Sequence, residues 1–240
     1  KKEFKGTKYK FLKSWWDPSK NIGGEILAQQ TNIALNECQG DLCQYIQGDE
    51  ALHEKDYPEI KRSFDELFQR DDLDGLIYDY IHFYGNVNIQ KKTRTIYRKE
   101  VRALKNGREI ISWKDAQGFR HLDHSKLAAK KINATVYHYG WARKETVMDK
   151  KIKEMNKLYH QGESNVKDDF TYKRIYGLRP FKEVHPKVMQ EWVEKNKNDV
   201  NLFDLKAIWK PKNFIHFLGD KFEDFTDIRI GEYKNYREKS

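Results

Sequence analysis

Two adjacent carboxylates follow a short apolar segment early in the chain. Gln47-Gly48-Asp49-Glu50 comes directly after residues 42–47, whose pattern predicts a strand. Adjacent carboxylates repel each other unless a cation or hydrogen-bond donors compensate. A divalent ion such as Mg²⁺ or Mn²⁺ prefers oxygen ligands and can neutralise a diphosphate leaving group. Asp49 and Glu50 therefore form a candidate metal and diphosphate site. The alternative is that Asp49 caps the following turn and Glu50 faces solvent.

Three further side chains could take part in such chemistry. His138 ends the predicted strand 134–139 and could bind a metal or donate to a phosphate, or it could be a packed histidine in an aromatic cluster. His82 has the same two interpretations, and a packed role is favoured. Asp115 follows a predicted strand and could act as general base for an acceptor hydroxyl, or it could be a turn aspartate.

Charged residues also alternate along the chain at Arg98, Glu100 and Arg102. In a strand, residues two apart share one face of the sheet. This spacing favours a structural ion network on that face, and the alternative is a cleft for phosphate.

The elements that must position these residues alternate between helix and strand. We predict a helix from Gly23-Gly24 to about Cys38, a helix capped by Asp56 with Glu59 three residues on, and a strand over residues 75–84. Asn106-Gly107 predicts a tight hairpin joining strands 95–105 and 108–113. The alternation predicts an α/β fold with a mixed sheet.

Composition narrows the class of protein. The 240 residues carry a net charge of +9, and 14% of them are aromatic, which is too many for a disordered chain. The charge indicates either a lysine-rich soluble surface or attraction to an anionic partner. No apolar run reaches the length of a membrane span. Cys38 and Cys43 lack the further ligands of a zinc site, so we expect free thiols and a reducing compartment.

Several short motifs together resemble a bacterial group of family-two-like glycosyltransferases of the GT-A superfamily. The similarity covers about residues 10–145, with a weaker echo at His185-Pro186. The motifs, in chain order, are Gly23-Gly24-Glu25-Ile26-Leu27-Ala28-Gln29-Gln30-Thr31-Asn32, Gln47-Gly48-Asp49-Glu50 with His53-Glu54, His82-Phe83-Tyr84-Gly85, Asp115-Ala116-Gln117-Gly118-Phe119-Arg120, and His138-Tyr139-Gly140-Trp141-Ala142-Arg143.

The resemblance implies a GT-A-like catalytic core over residues 1–145 and a helical, basic extension over residues 146–240, packed on that core. It also implies a metal site at Asp49 and His138 for Mn²⁺ or Mg²⁺, and a catalytic base at Asp115. Glu50 would assist catalysis, and the donor would contact Gln47, Arg120 and Arg143. Gln47 stands where the family has its first Asp.

The family's nucleoside-binding strand would precede Lys1, and we do not find it in these residues. We expect either that this chain is a truncated copy or that the pocket has been lost.

The function implied is transfer of a sugar from a nucleotide sugar, such as a UDP-sugar, to a glycan or lipid-linked hydroxyl acceptor, with inversion. We expect it in the cytoplasm. The basic extension could contact the inner membrane face, or it could be a solvated helical surface, which is favoured. One alternative is a non-catalytic binding module for a phosphorylated glycan or nucleic acid. The missing nucleoside-binding strand favours this alternative, and the carboxylate pair opposes it. Another is a hydrolase of nucleotide sugars.

Overall fold

A computed structural model describes residues 10–197 and 201–240, and it has the mixed α/β architecture that the sequence predicts. Within these residues, eight strands form one mixed sheet, and two more form a small antiparallel ribbon. The strands are β1 (Leu42–Gln44), β2 (Glu50–Leu52), β3 (Gly75–Tyr84), β4 (Asn86–Lys91), β5 (Lys99–Lys105), β6 (Ile110–Trp113), β7 (Gly118–His121), β8 (Leu127–Trp141), β9 (Leu178–Pro180) and β10 (Tyr236–Lys239). The α-helices are α1 (Glu25–Leu35), α2 (Tyr57–Gln69), α3 (Glu145–Lys157), α4 (Gln190–Asn196) and α5 (Lys212–Thr226).

Strand β3 lies at the centre of the sheet. One of its edges pairs in parallel with β8, and its other edge pairs antiparallel with β5 and then with β4. The 15-residue β8 also pairs with β10 near its start and with β2 near its end. β1 and β9 lie outside β5 and β4. This arrangement holds the short β2 beside the end of β8, and the histidines of β3 and β8 are paired at this end of the sheet.

Apolar and aromatic side chains bury the two long strands. On one side, Leu67 of α2 packs with Leu76 and Tyr78 of β3 and with Val136 of β8. Near the strand ends, a second cluster joins Phe83, Tyr137, Tyr139 and Phe181. Burial of this many rings supplies most of the apolar area that stabilises the sheet. The strands are therefore rigid supports for the polar residues at their ends.

Helix α2 begins where the sequence predicts, but not by the predicted cap. Pro58 lies in its first turn, a position that proline favours. The Asp56 carboxylate makes no capping bond and instead accepts a 3.0 Å hydrogen bond from the Thr135 backbone N–H. Glu59 pairs with Arg62 on the helix surface. The predicted capping box is therefore wrong, because Asp56 ties the helix to β8.

The predicted hairpin across Asn106-Gly107 is also wrong. A turn is present, with Gly107 at a φ of 73°, but β5 pairs with β1 and β3, while β6 pairs with β7 in the separate ribbon. The Asn106 side chain donates hydrogen bonds to the backbone oxygens of Cys38 and Gly40. These bonds dock the turn on the α1–β1 loop, so the chain leaves the sheet here.

The expectation of free thiols is wrong as well. Cys38 and Cys43 form a disulfide, and their Cα atoms lie 6.2 Å apart. The cause is the reversal of the chain between α1 and β1, which brings residues five apart into bonding range. The expectation of a reducing compartment, which rested on free thiols, loses that basis.

Residues after 145 supply helices α3, α4 and α5 and also two strands of the sheet. β9 extends the sheet beyond β4, and β10 pairs in parallel with β8. None of the helices in the described part of the chain combines the length and the apolar character that a membrane crossing needs.

Candidate functional site

Asp49 is brought to His138 by the pairing of β2 with β8. Glu50 is the register partner of His138, and the Tyr139 N–H donates to the Asp49 backbone oxygen at 2.8 Å. The Asp49 Oδ1 atom lies 3.7 Å from His138 Nε2. The structure therefore brings together the two predicted metal ligands, which are far apart in sequence.

The hydrogen-bond chain behind His138 fixes its tautomer. His82 Nε2 lies 2.9 Å from the backbone oxygen of Tyr97, which can only accept, so this nitrogen carries the proton. His82 Nδ1 must then accept from His138 Nδ1, 3.0 Å away. Burial lowers the pKa of His82 to about 3 and also lowers the pKa of His138. Neutral His138 therefore presents its Nε2 lone pair towards Asp49, as metal-binding histidines do.

Lys151 of α3 is the cation next to Asp49. Its Nζ lies 2.9 Å from Asp49 Oδ2 and 3.0 Å from the Gly140 backbone oxygen. Burial opposes ionisation of Asp49, but the positive charges of His138, when its ring is protonated, and of Lys151 outweigh it, and the pKa of Asp49 is lowered. Because the pKa of His138 is itself lowered, we assign Lys151 as the counter-ion of Asp49 at neutral pH.

Because Gly140 has no side chain, Asp49 and His138 can approach each other beside it. A Cβ atom at this position would lie 2.6 Å from His138 Nε2 and 2.8 Å from Asp49 Oδ2. Any side chain there would push apart the two predicted ligands. The glycine of the motif His138-Tyr139-Gly140 is therefore required for the close approach of Asp49 and His138.

A scan against models of known protein families found no match, and no curated protein was significantly similar to the chain.

Glu50, although adjacent to Asp49, points into the protein and has a different environment. Its side chain is fully buried, and its Oε1 accepts from Arg102 at 3.2 Å and from the Tyr80 hydroxyl at 2.8 Å. The Arg102 guanidinium is itself buried between the rings of Tyr45 and Tyr80. Glu50 therefore belongs to a buried ion pair, whereas the adjacent Asp49 lies in the partly exposed site with His138. This placement favours a structural role for Glu50.

Asp115 lies on the loop between β6 and β7 and has its own set of contacts. Its neighbours Lys114 and Ala116 have φ values of 54° and 61°, a strained conformation that is often found at functional loops. A Cβ atom on Gly24 would lie 2.9 Å from both Asp115 and the ring of Tyr159. Burial raises the pKa of Tyr159, and the charge and hydrogen bond of Asp115 raise it further. Asp115 therefore lies at the start of α1, against Tyr159.

Gln47, Arg120 and Arg143 occupy three different environments. Gln47 donates to the Tyr45 hydroxyl at 2.9 Å. The buried Arg120 donates to the backbone and side chain of Asn235, which anchors the chain before β10. Arg143 is close enough for its charge to lower the pKa of Asp49, and among the described residues no hydrogen-bond partner reaches its buried Nε. Of the three, Arg143 is the one whose charge acts on Asp49.

The structure brings only two candidate metal donors together, Asp49 and His138, and Asp49 is already paired with Lys151. Three or more metal-binding side chains do not cluster anywhere in residues 10–197 or 201–240. Asp49 offers an oxygen and His138 a bare nitrogen. Mg²⁺ is commonly held by one or two carboxylates together with substrate phosphates. A bound diphosphate would thus supply the missing oxygens, and Lys151 would then need to move from Asp49 or bind the phosphate.

Sequence reasoning missed Lys151 and the orienting role of His82. Lys151 lies within a lysine-rich helix, and nothing in its local sequence separates it from Lys150 or Lys153. A signal for His82 did exist, because β3 and β8 each carry a histidine followed by aromatic residues. The parallel register that pairs His82 with His138 was needed to interpret it.

Proposed function

We propose that this protein transfers a sugar from a nucleotide-sugar donor, such as a UDP-sugar, to a hydroxyl group of a glycan or lipid-linked acceptor. The observation that carries the proposal is the meeting of Asp49 and the bare Nε2 of His138, with Lys151 beside them. Such a set suits the negative charge of a leaving diphosphate. The order of motifs that resembles GT-A glycosyltransferases supports the same assignment.

In the proposed reaction, the acceptor oxygen attacks the anomeric carbon while the bond from that carbon to the diphosphate breaks. Asp115 accepts the proton of the acceptor hydroxyl, and the diphosphate leaves with the bonding electrons. Lys151 and Arg143 stabilise the charge that develops on the leaving group. Attack opposite the leaving group inverts the anomeric centre.

Asp49 and His138 would hold Mn²⁺ or Mg²⁺ in this proposal. When bound, the ion acts as a Lewis acid on the diphosphate oxygens. His82 keeps the coordinating nitrogen of His138 free of a proton, and Gly140 keeps the approach open. We propose a cytoplasmic location, although disulfides such as Cys38–Cys43 are rare in that compartment.

A hydrolase of nucleotide sugars is the second candidate, because the same site could transfer the sugar to water. The partly buried position of Asp115 against Tyr159 and Gly24 favours a base that serves a bound acceptor. Release of free sugar without any acceptor, at the same rate as with one, would instead identify a hydrolase.

The first test measures thermal stability with Mn²⁺, with UDP, and with both together. A ligand that binds only the folded state raises the melting temperature. At saturating ligand we expect a rise of about 5 °C that needs both components. Asp49→Asn should abolish the rise. Asp71→Asn, a change at a carboxylate that is 97% exposed, should leave it intact. If Asp49→Asn retained the full rise, the site assignment would be wrong.

A further inference from the structure

Helix α5 has its polar residues turned inward. Its buried residues are Asn213, Asp220 and Glu223. Asp220 accepts a 2.7 Å hydrogen bond from the Tyr176 hydroxyl. Glu223 forms ion pairs with Arg229 at 2.7 Å and with Arg98 at 3.3 Å. Polar contacts therefore attach this helix to the rest of the protein, in contrast to the usual apolar attachment of a surface helix.

The opposite face of α5 is apolar and faces solvent. Its side chains are exposed by 42% to 92%, and they are Phe214, Ile215, Leu218, Phe222 and Phe225. At 100° per residue these five fall in one stripe along the helix. Exposed apolar residues also flank α5 in the chain, namely Trp209, Ile228, Ile230 and Tyr233. An apolar surface of this extent marks an interaction site.

Charge is divided between the two faces of α5. The acidic residues Asp220 and Glu223 are buried, and Asp224 pairs with Lys92 and Arg179. Lys212 and Lys221 on α5 and Lys206 and Lys210 just before it are exposed, whereas the exposed Asp227 just after it pairs with Arg98 and Lys99. The face that meets solvent is therefore apolar with a positive border.

We propose that the outer face of α5 binds the surface of an anionic lipid bilayer. The helix would lie in the plane of the interface, with its phenylalanines at the boundary of headgroups and acyl chains and its lysines on the anionic headgroups. A symmetric contact between two copies fits less well, because it would bring the same lysines together. This surface is separate from the chemistry at Asp49, and it would bring that chemistry to acceptors carried on lipids.

Sedimentation with vesicles tests this proposal. We expect the protein to sediment with vesicles of equal parts phosphatidylglycerol and phosphatidylcholine, more weakly as salt rises, and far less with phosphatidylcholine alone. The double variant Phe222→Asp with Phe225→Asp should bind the anionic vesicles at least about ten-fold more weakly. Lys212→Glu with Lys221→Glu should reduce both the binding and its salt dependence.

The matched control adds the same two charges elsewhere. Val184→Asp with Val188→Asp changes two exposed apolar residues away from α5, and it should bind as the native protein does. Thermal unfolding of each variant shows that it is folded, and the shift with Mn²⁺ and UDP reports on the Asp49 site separately. No binding to anionic vesicles, unchanged binding of the phenylalanine variant, or a native dimer that this variant dissociates would each overturn the proposal.

Discussion

At the scale of single residues, neighbours in sequence take opposite roles. Asp49 meets His138 and Lys151 in a partly exposed site, whereas Glu50 is buried with Arg102. Removing one partner of a buried ion pair typically costs about 3–5 kcal/mol, because it leaves an uncompensated charge. A loss of activity on substitution of Glu50 would therefore report on folding rather than on chemistry. Asp49 is the residue at which the chemical hypothesis can be tested cleanly.

His82 offers a sharper test of the same site. His82→Phe keeps an aromatic ring among Tyr80, Tyr97 and His138 but removes the acceptor that fixes the His138 tautomer. Loss of such an orienting partner typically weakens metal binding by about 10–100-fold. We therefore expect the affinity for UDP in the presence of Mn²⁺, measured by titration calorimetry, to fall by at least about ten-fold.

The control for His82 is another hydrogen-bonded histidine far from Asp49. His121 Nε2 lies 3.1 Å from Asp74 Oδ2 and ties the β6–β7 ribbon to the start of β3. His121→Asn should lower the melting temperature without changing the affinity for UDP. Unchanged affinity in His82→Phe would show that His82 is only a packed residue.

At the scale of elements, the disulfide links the end of α1 to the start of β1. It closes a six-residue loop from Cys38 to Cys43, and Asn106 docks on the same loop. Loop-closure entropy for so short a loop corresponds to about 2 kcal/mol. We expect a reductant to lower the free energy of unfolding, measured in urea, by about this amount. In the double variant Cys38→Ser with Cys43→Ser, the reductant should have no effect, and a native protein equally indifferent to reductant would contradict the prediction.

Local sequence patterns predicted the positions of strands and helices better than they predicted which elements pair or pack together. The strand over residues 75–84 and the start of α2 follow from apolar patterning and from Pro58. The hairpin failed because Asn106 found acceptors on a distant loop, and a short-range turn signal contains no information about such a docking site. The same limit applies to the candidate site, where single residues were predictable but their neighbours were not. Asp49 and His138 were recognisable as single residues, whereas Lys151 depended on where α3 packs.

At the scale of the whole molecule, the net charge of +9 is not spread evenly. Acidic side chains are drawn inward at several places: Glu50 with Arg102, Glu223 with Arg98 and Arg229, and the buried Glu100. Arginines are buried with the first two of these carboxylates, so exposed lysines, among them Lys212 and Lys221 of α5, carry much of the remaining positive charge.

Glu100 makes the stability of the whole molecule depend on pH. Burial raises the pKa of its carboxyl group from 4.5 to about 7, although Gln117 and Asn235 donate hydrogen bonds to it. Between these pH values the native state keeps a proton that the unfolded chain releases, so the contribution of Glu100 to stability is lost as the pH rises to about 7.

Glu100→Gln, which cannot ionise, should therefore be more stable than the native protein at pH 8, by about 2–3 kcal/mol in urea denaturation, and the gain should vanish near pH 4. Glu238 is the control, because its pKa is shifted in the opposite direction to that of Glu100. Burial raises its pKa, but the hydrogen bond and charge of Lys234 outweigh burial, and the pKa is lowered overall. Glu238→Gln should consequently bring no gain at pH 8. If Glu100→Gln were less stable than the native protein at pH 8, Glu100 would be a stabilising carboxylate at that pH, paired with Arg102 or Arg120.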